Sequence, residues 1–182
     1  MKDLYGRVVF AEDGGFSFLP ADTQTANTQE LPSWGYFNQH SQNEMQGVDS
    51  QLVQVVKAAA AICAQEFGVH DGLRTLAEQQ KLIASGASRT MKSKHLKGRA
   101  VDLVPLVNGK WRWEWEPIYI IVDAVRTAAQ AEKLTLVWGG AWHTTLTDRS
   151  EPPEDLLNEY GALRRSQGRK PFFDGAHFEL PD

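Results

Sequence analysis

A single cysteine serves the whole 182-residue chain. No intramolecular disulfide can form, and no cysteine-rich metal motif can exist. That residue, Cys63, lies in the apolar run VVKAAAAICAQEFG and reads as a small buried hydrophobe. Long hydrophobic runs are also missing. No stretch approaches the roughly 20 apolar residues of a membrane span, so we expect no stable membrane insertion. The opening MKDLYGRVVFAEDGG has no sustained apolar segment of the kind a secretory signal carries, which points to synthesis in the cytoplasm. Excess charge of one sign is absent as well. With 19 Lys and Arg against 23 Asp and Glu the net charge is -4, which argues against nucleic-acid binding but leaves acidic or neutral polymers open as substrates. No internal repeat and no low-complexity tract is present. What is there, 42% hydrophobic and 23% charged residues, is the ordinary composition of a globular domain, and the length suits one domain with an embellishment.

The embellishment comes first. YGRVVF and FSFL flank AEDGG, where Gly14 and Gly15 can supply positive φ, so residues 4–18 are predicted to form a hairpin. PADTQTANTQELPS lacks periodicity and reads as a loop that completes an N-terminal extension over 1–33. The main domain is expected over 34–182. Its first helix is predicted from about Ser50 to Phe67, with Leu52, Val55, Val56, Ala59, Cys63 and Phe67 on one face. A second is predicted from about Leu76 to Ser85, entered through a capping box of Thr75 and Glu78. GRAVDLVPLV reads as a strand, with Ala100, Asp102 and Val104 facing one way and Val101 and Leu103 the other. NGK turns the chain into WRWEW, and Pro117 opens a third helix whose buried stripe is Ile121, Val122, Val125 and Ala129. LTLVWGGAW reads as a strand and PPEDLLNEYGALRRSQG as a fourth helix. AHFELP is the last strand, with His177 and Glu179 on one face and Phe178 and Leu180 on the other. This alternation of short strands and helices predicts an α+β domain.

The stretch SKHLKGRAVDLVP crowds His95, Gly98 and Asp102 into one segment that then turns apolar. On one straight strand, residues an odd number apart face opposite ways. A bend at Gly98 can bring His95 and Asp102 back to one side. An acid inside an apolar strand needs a partner or a metal. Catalytic zinc usually takes three protein ligands and keeps a fourth position for water, and His177 in the final strand is the natural third ligand. Asp174, three residues earlier in FFDGAHFEL, can act as a base toward water beside such a site. Hydrolysis of an amide would follow.

SKHLKGRAVDL fits Ser-x-His-x-x-Gly-x-Ala-x-Asp, and DGAHFEL fits Asp-x-x-His-Phe. The two motifs in this order resemble the M15 family of zinc metallopeptidases of bacterial cell walls. Within that family the chain is most similar to the phage endolysins that cut between L-alanine and D-glutamate in the peptidoglycan stem peptide. SQNEMQGVDSQLVQVV, GLRTLAEQQKL and WGGAW extend the resemblance, which covers roughly residue 34 to the C-terminus. It implies a small, mostly antiparallel sheet that carries a zinc site and has helices packed behind it, as in D-alanyl-D-alanine carboxypeptidase-like folds. It implies His95, Asp102 and His177 as ligands of Zn2+ and Asp174 as the catalytic carboxylate. Arg74 matches an active-site arginine that would hold the scissile carbonyl or its oxyanion. Ser93 matches the motif serine, a hydrogen-bond donor near substrate or ligand. Trp142 is expected to touch substrate, although similar endolysins often carry an acidic residue after Trp-Gly-Gly, where this chain has Ala141. The implied partner is the stem peptide, met by a monomer that is made in a host cytoplasm and acts on the wall after release.

Other residues have plainer readings. His143 can line the cleft without ligating, His70 beside Asp71 reads as a loop pair, and His40 as structural or exposed. Glu179 either orients a ligand imidazole or is an exposed acid. Trp111, Trp113 and Trp115 alternate and could stack on glycan sugars, but a hairpin strand packed on the domain is the simpler expectation. The basic segment RRSQGRK reads as a solvated helix end. Two rivals stay open: a D-alanyl-D-alanine carboxypeptidase of the same zinc chemistry, and a non-catalytic cell-wall binding module. Asp174 and Arg74 weigh against the second, because structural zinc needs neither an open position nor a spare base.

Overall fold

A computed structural model describes residues 37–88 and 90–182, together with the backbone of two N-terminal strands. The chain divides into two compact units, Met1–Leu31 and Pro32–Asp182. In the first, β1 (Arg7–Phe10) pairs antiparallel with β2 (Phe16–Leu19), with Arg7 opposite Leu19 and Phe10 opposite Phe16. These are the two strands the hairpin reading predicts. The loop expected at 20–33 lies outside the described residues.

The second unit runs α1 (Gln39–Glu44), α2 (Ser50–Ile62), β3 (Phe67–Asp71), α3 (Leu76–Ala84), β4 (Ala100–Val107), β5 (Lys110–Trp111), α4 (Trp115–Ala131), β6 (Val137–Trp138), α5 (Pro153–Ser166) and β7 (His177–Glu179). Its strands lie in the order β3-β4-β7-β6, with β5 attached to β4, and every described pair is antiparallel. This is an α+β fold of the expected class.

Strand alternation decides which face is which. Val101 and Leu103 of β4 join a core built from Leu52, Val55, Val56 and Ala59 of α2 and Ile121, Val122, Val125 and Ala129 of α4. Asp102, between them, points to the other side of the sheet. Phe178 of β7 is likewise core, while its neighbours His177 and Glu179 are not. The helices therefore pack behind one face and leave the opposite face for chemistry. Truncating a large core side chain here to alanine costs about 2–5 kcal/mol. The helix starts follow local chemistry. Thr75 Oγ1 accepts from Glu78 N–H at 3.3 Å while Glu78 Oε2 accepts from Thr75 N–H at 2.7 Å, completing the capping box of α3. Asn108 and Gly109, at φ 52° and 71°, make the tight turn from β4 to β5.

Two element boundaries differ from expectation. α2 stops at Ile62 rather than Phe67, and Cys63 is extended at φ -74°, ψ 130°. Cys63 and Phe67 are nevertheless both buried. Phe67 reaches the core as part of β3, opposite Pro105 of β4. Burial of a short apolar run does not by itself distinguish helix from strand, and pairing with β4 wins. LTLVWGGAW forms a strand only at Val137–Trp138, because its partner β7 is three residues long. No helix among the described residues is long and apolar enough to cross a membrane.

Candidate active site

The sheet register assembles the site. His177 of β7 stands opposite Asp102 of β4, and Asp71 of β3 stands opposite Asp102 on its other side. A β-bulge between Val69 and Asp71 sets that last pairing. His95 arrives from off the sheet, on a 3₁₀ turn over Lys94–Lys97. Ser93 caps this turn, its Oγ accepting from His95 N–H at 3.4 Å. Gly98 closes the turn at φ 63°, a left-handed conformation that favours glycine. A Cβ on Gly98 would also lie 2.1 Å from the Gly47 carbonyl oxygen. The bend at Gly98 is therefore a full 3₁₀ turn, and His95 is not a strand residue at all.

Three donor atoms converge. His95 Nε2 lies 3.1 Å from His177 Nδ1, His177 Nδ1 lies 3.1 Å from Asp102 Oδ1, and His95 Nε2 lies 3.3 Å from Asp102 Oδ1. These three residues form a group that could hold a metal ion. Their outward atoms are all engaged. His95 Nδ1–H donates to the Gly72 carbonyl at 2.7 Å, which leaves Nε2 with a free lone pair. His177 Nε2–H donates to Glu179 Oε2 at 2.9 Å, which turns Nδ1 toward the other two donors. Asp102 Oδ2 accepts from Arg74 at 3.2 Å.

Electrostatics separate the acids. Burial alone would raise the Asp102 carboxyl, but hydrogen bonds with His177 and His95 outweigh it and hold that group well below the usual carboxylate range. Burial would lower His177, but its hydrogen bonds to Asp102 and Glu179 win and push the imidazole up to about 10. Asp174 moves the opposite way from Asp102: burial, then the Asp102 charge, raise its carboxyl to about 6. A cleft of roughly 560 Å³ is lined by His95, Asp102, Asp174 and His177, and also by Arg74, Ser93 and Trp142. The residues singled out from the sequence thus line one cavity.

A family model described as phage L-alanyl-D-glutamate peptidase matches residues 35–181. The chain belongs to this family. It is 29% identical over 113 residues to the L-alanyl-D-glutamate peptidase of Escherichia phage T5, spanning 60% of this chain and 82% of that protein. It is 36% identical over 77 residues to the L-alanyl-D-glutamate peptidase of Listeria phage A118, spanning 42% of this chain and 26% of that protein. The crystal structure of Serratia marcescens L-Ala D-Glu endopeptidase ChiX matches with a TM-score of 0.61 and 30% identity, covering 86% of this chain and 96% of that one. The protein is thus a peptidase of the peptidoglycan stem peptide, and the carboxypeptidase and binding-module readings give way.

In this peptidase the loop that carries Asp174 is locked to the Trp-Gly-Gly turn. Asp174 N–H donates to the Gly139 carbonyl at 3.0 Å, and Gly139 N–H donates to the His177 carbonyl at 2.9 Å. A Cβ on Gly139 would come within 2.3 Å of the Asp174 carbonyl oxygen, so only glycine allows this approach. Trp142 covers His177 with ring centroids 5.1 Å apart, and its Nε1–H donates to the Phe172 carbonyl at 3.0 Å. Ala141 is buried in the core, where an acidic side chain would be costly. His143 bonds Glu159 and stacks on Tyr160, and it takes no part in the donor group. Cys63 is buried, and burial pushes its thiol up to about 11, which makes it inert at neutral pH.

Four neighbours of the site escape sequence reading. The Gly72 carbonyl that orients His95 has no side-chain signal. Gln79, fully buried, accepts from Arg74 at 3.1 Å and donates to Ser88 Oγ and the Thr90 carbonyl, tying the arginine to the far wall of the cleft. Its place four residues after the capping-box threonine gave only a helix position. His70 and Asp71 are not a loop pair but β3 residues that line the cleft, bonded to each other at 2.7 Å.

Proposed function

We propose that this peptidase cleaves the L-alanyl-D-glutamate bond with one zinc ion held by His95 Nε2, Asp102 Oδ1 and His177 Nδ1, as an endolysin acting on the host wall. The donor chemistry fits: two imidazoles and one carboxylate leave a fourth position open. So does the spacing. Donor separations of 3.1, 3.1 and 3.3 Å are close to the edge of a tetrahedron with zinc–ligand bonds of 2.0–2.1 Å, about 3.3–3.4 Å. Bound there, zinc would supply Lewis acidity toward water and toward the scissile carbonyl.

The chain's own residues do the rest. The Asp174 carboxylate takes a proton from the attacking water as its oxygen bonds to the alanine carbonyl carbon. It then delivers that proton to the D-glutamate nitrogen as the C–N bond breaks, and the second water proton passes from the new carboxyl to the amine, leaving a carboxylate and an ammonium. Asp174 lines the same cleft as the three donors, which supports its acting in both halves of this cycle. Arg74 is held by Asp102 and Gln79, and its buried Nε–H has no partner among the described residues. That geometry supports a role for the guanidinium toward the carbonyl oxygen of the substrate. Ser93 acts by capping the turn that presents His95. Trp142 walls the cleft over His177, where substrate would lie.

The observation that carries this reading is the three-donor cluster with the raised carboxyl of Asp174 lining the same cleft. Mass spectrometry of purified peptidoglycan after digestion tests it. A new free amine on D-glutamate, lost on chelation and in Asp174→Ala, is the expected result. Release of terminal D-alanine alone, or cleavage that survives chelation, would overturn it.

A further inference from the structure

Three tryptophans alternate along one short segment, and the fold gives each a different fate. Trp111 is packed against Gly68, where a Cβ would come within 2.8 Å of its ring, and it meets the rings of His40 and His70. Trp115 stacks on Tyr119 and meets Phe173 edge-on in the partly buried layer over the core. Trp113 alone of the three is exposed, at 56%, and it lines the active-site cleft. Its ring meets that of His70 in a T-shaped contact at 5.3 Å and 72°, and more than half of the Trp113 residue surface stays accessible. An exposed indole costs apolar hydration, and this one is not there for packing.

The segment that carries Trp113 is braced rather than loose. Arg112 N–H donates to the Pro105 carbonyl at 3.0 Å, Arg112 pairs with Glu114 at 2.7 Å, and Trp113 N–H donates to Glu114 Oε2 at 3.0 Å. The polar group against the indole is His70, which is bonded to Asp71 at 2.7 Å; their side chains are 36% and 38% exposed. An aromatic face with a carboxylate and an imidazole alongside is the chemistry that holds a pyranose ring: C–H groups on the indole, hydroxyls or an acetamide on the polar pair.

Position selects the sugar. On the N-terminal side of the scissile bond stands one alanine, then a lactyl ether, then the muramic acid ring. With the alanine carbonyl at the three-donor cluster, the ring lies about two residue lengths away, roughly 7 Å. Asp71 is one strand over from Asp102, about 4.8 Å, and His70 joins it to Trp113. On the opposite wall the Trp142 ring packs between His177 and Phe172. Trp113 also borders a second open depression, lined by Trp111, Arg112 and Glu114, into which a glycan strand can continue.

We propose that Trp113, with His70 and Asp71, forms a sugar subsite that binds the N-acetylmuramic acid ring of glycan-linked substrate and makes the enzyme prefer stem peptides still attached to the strand. This rests on the peptidase reading above. The test compares two soluble substrates: a disaccharide-linked stem peptide, and the same peptide capped with lactate in place of the sugars. Zinc-loaded wild-type protein should favour the glycan-linked form by about five- to tenfold in kcat/KM, the size of one aromatic contact, with the difference in KM. In Trp113→Ala the ratio should fall to about one, and Trp113→Tyr, which keeps an aromatic face, should retain most of it. A wild-type ratio of one, or a Trp113→Ala ratio equal to wild type, overturns the subsite. Cleavage of neither substrate by zinc-loaded wild type would instead overturn the peptidase reading on which it rests.

Discussion

His177 is held from both ends: Nε2 donates to Glu179 Oε2 at 2.9 Å, two residues along the same strand, while Nδ1 faces Asp102 Oδ1 at 3.1 Å. The first bond decides which nitrogen is free for a metal. Residues i and i+2 of a strand share a face, so β7 supplies both the imidazole and the carboxylate that aims it.

Glu179→Gln should therefore weaken zinc binding by about 10- to 100-fold with the fold intact. Competition against a chromophoric chelator measures this. Wild-type affinity in the variant would show that Glu179 is only a surface acid.

Metal binding should also release a proton. Without metal, His177 is raised from 6.5 to about 10, so its proton contributes stability that is full below pH 6.5 and is lost as pH rises through about 10. At pH 7 to 8 the metal-free cluster thus holds a proton that zinc must displace. Calorimetry in buffers of different ionisation enthalpy should find about one proton released per zinc bound. Release of none would mean that both imidazoles are already free.

Asp174 acts in the same direction over a lower pH range. Its folded carboxyl is raised from 3.8 to about 6, so ionising it opposes folding, and metal-free protein should gain stability from this group as pH falls from about 6 toward 4. Asp174→Asn should abolish that gain, keep zinc, and lower kcat by about 10²- to 10⁴-fold. Thermal melts at pH 4.5 and 7.5, with and without the substitution, read the first effect. Full turnover in the variant would remove Asp174 from the mechanism.

Gly98 and Gly109 both have positive φ, 63° and 71°, but differ in their surroundings. A Cβ at Gly98 would strike the Gly47 carbonyl oxygen at 2.1 Å, whereas nothing lies within 4 Å of one at Gly109. Gly109→Ala should cost only the left-handed penalty, about 1–2 kcal/mol. Gly98→Ala should cost more and also lose zinc affinity, since the turn it closes presents His95. Denaturant unfolding and zinc titration of both variants check the contrast. Equal losses would deny Gly98 any role beyond its backbone angle.

Much of this molecule is determined by its sequence alone. Alternation along β4 and β7 assigned Val101, Leu103 and Phe178 to one face and Asp102 and His177 to the other. Thr75 and Glu78 announced the start of α3. The two spaced motifs named the residues that line the cleft, because motif spacing and strand period are local properties. The end of α2 was not legible, since Cys63 and Phe67 are buried whether the chain coils or extends, and only the pairing of Phe67 with Pro105 decides. Nor could sequence say which nitrogen of each histidine faces the cluster. That depends on the Gly72 carbonyl and on Glu179, and a carbonyl has no residue identity. The bulge that sets Asp71 beside Asp102, and the separate fates of Trp111, Trp113 and Trp115, are likewise tertiary. Local pattern fixes which way a side chain leaves the backbone; only packing between distant segments fixes what it meets.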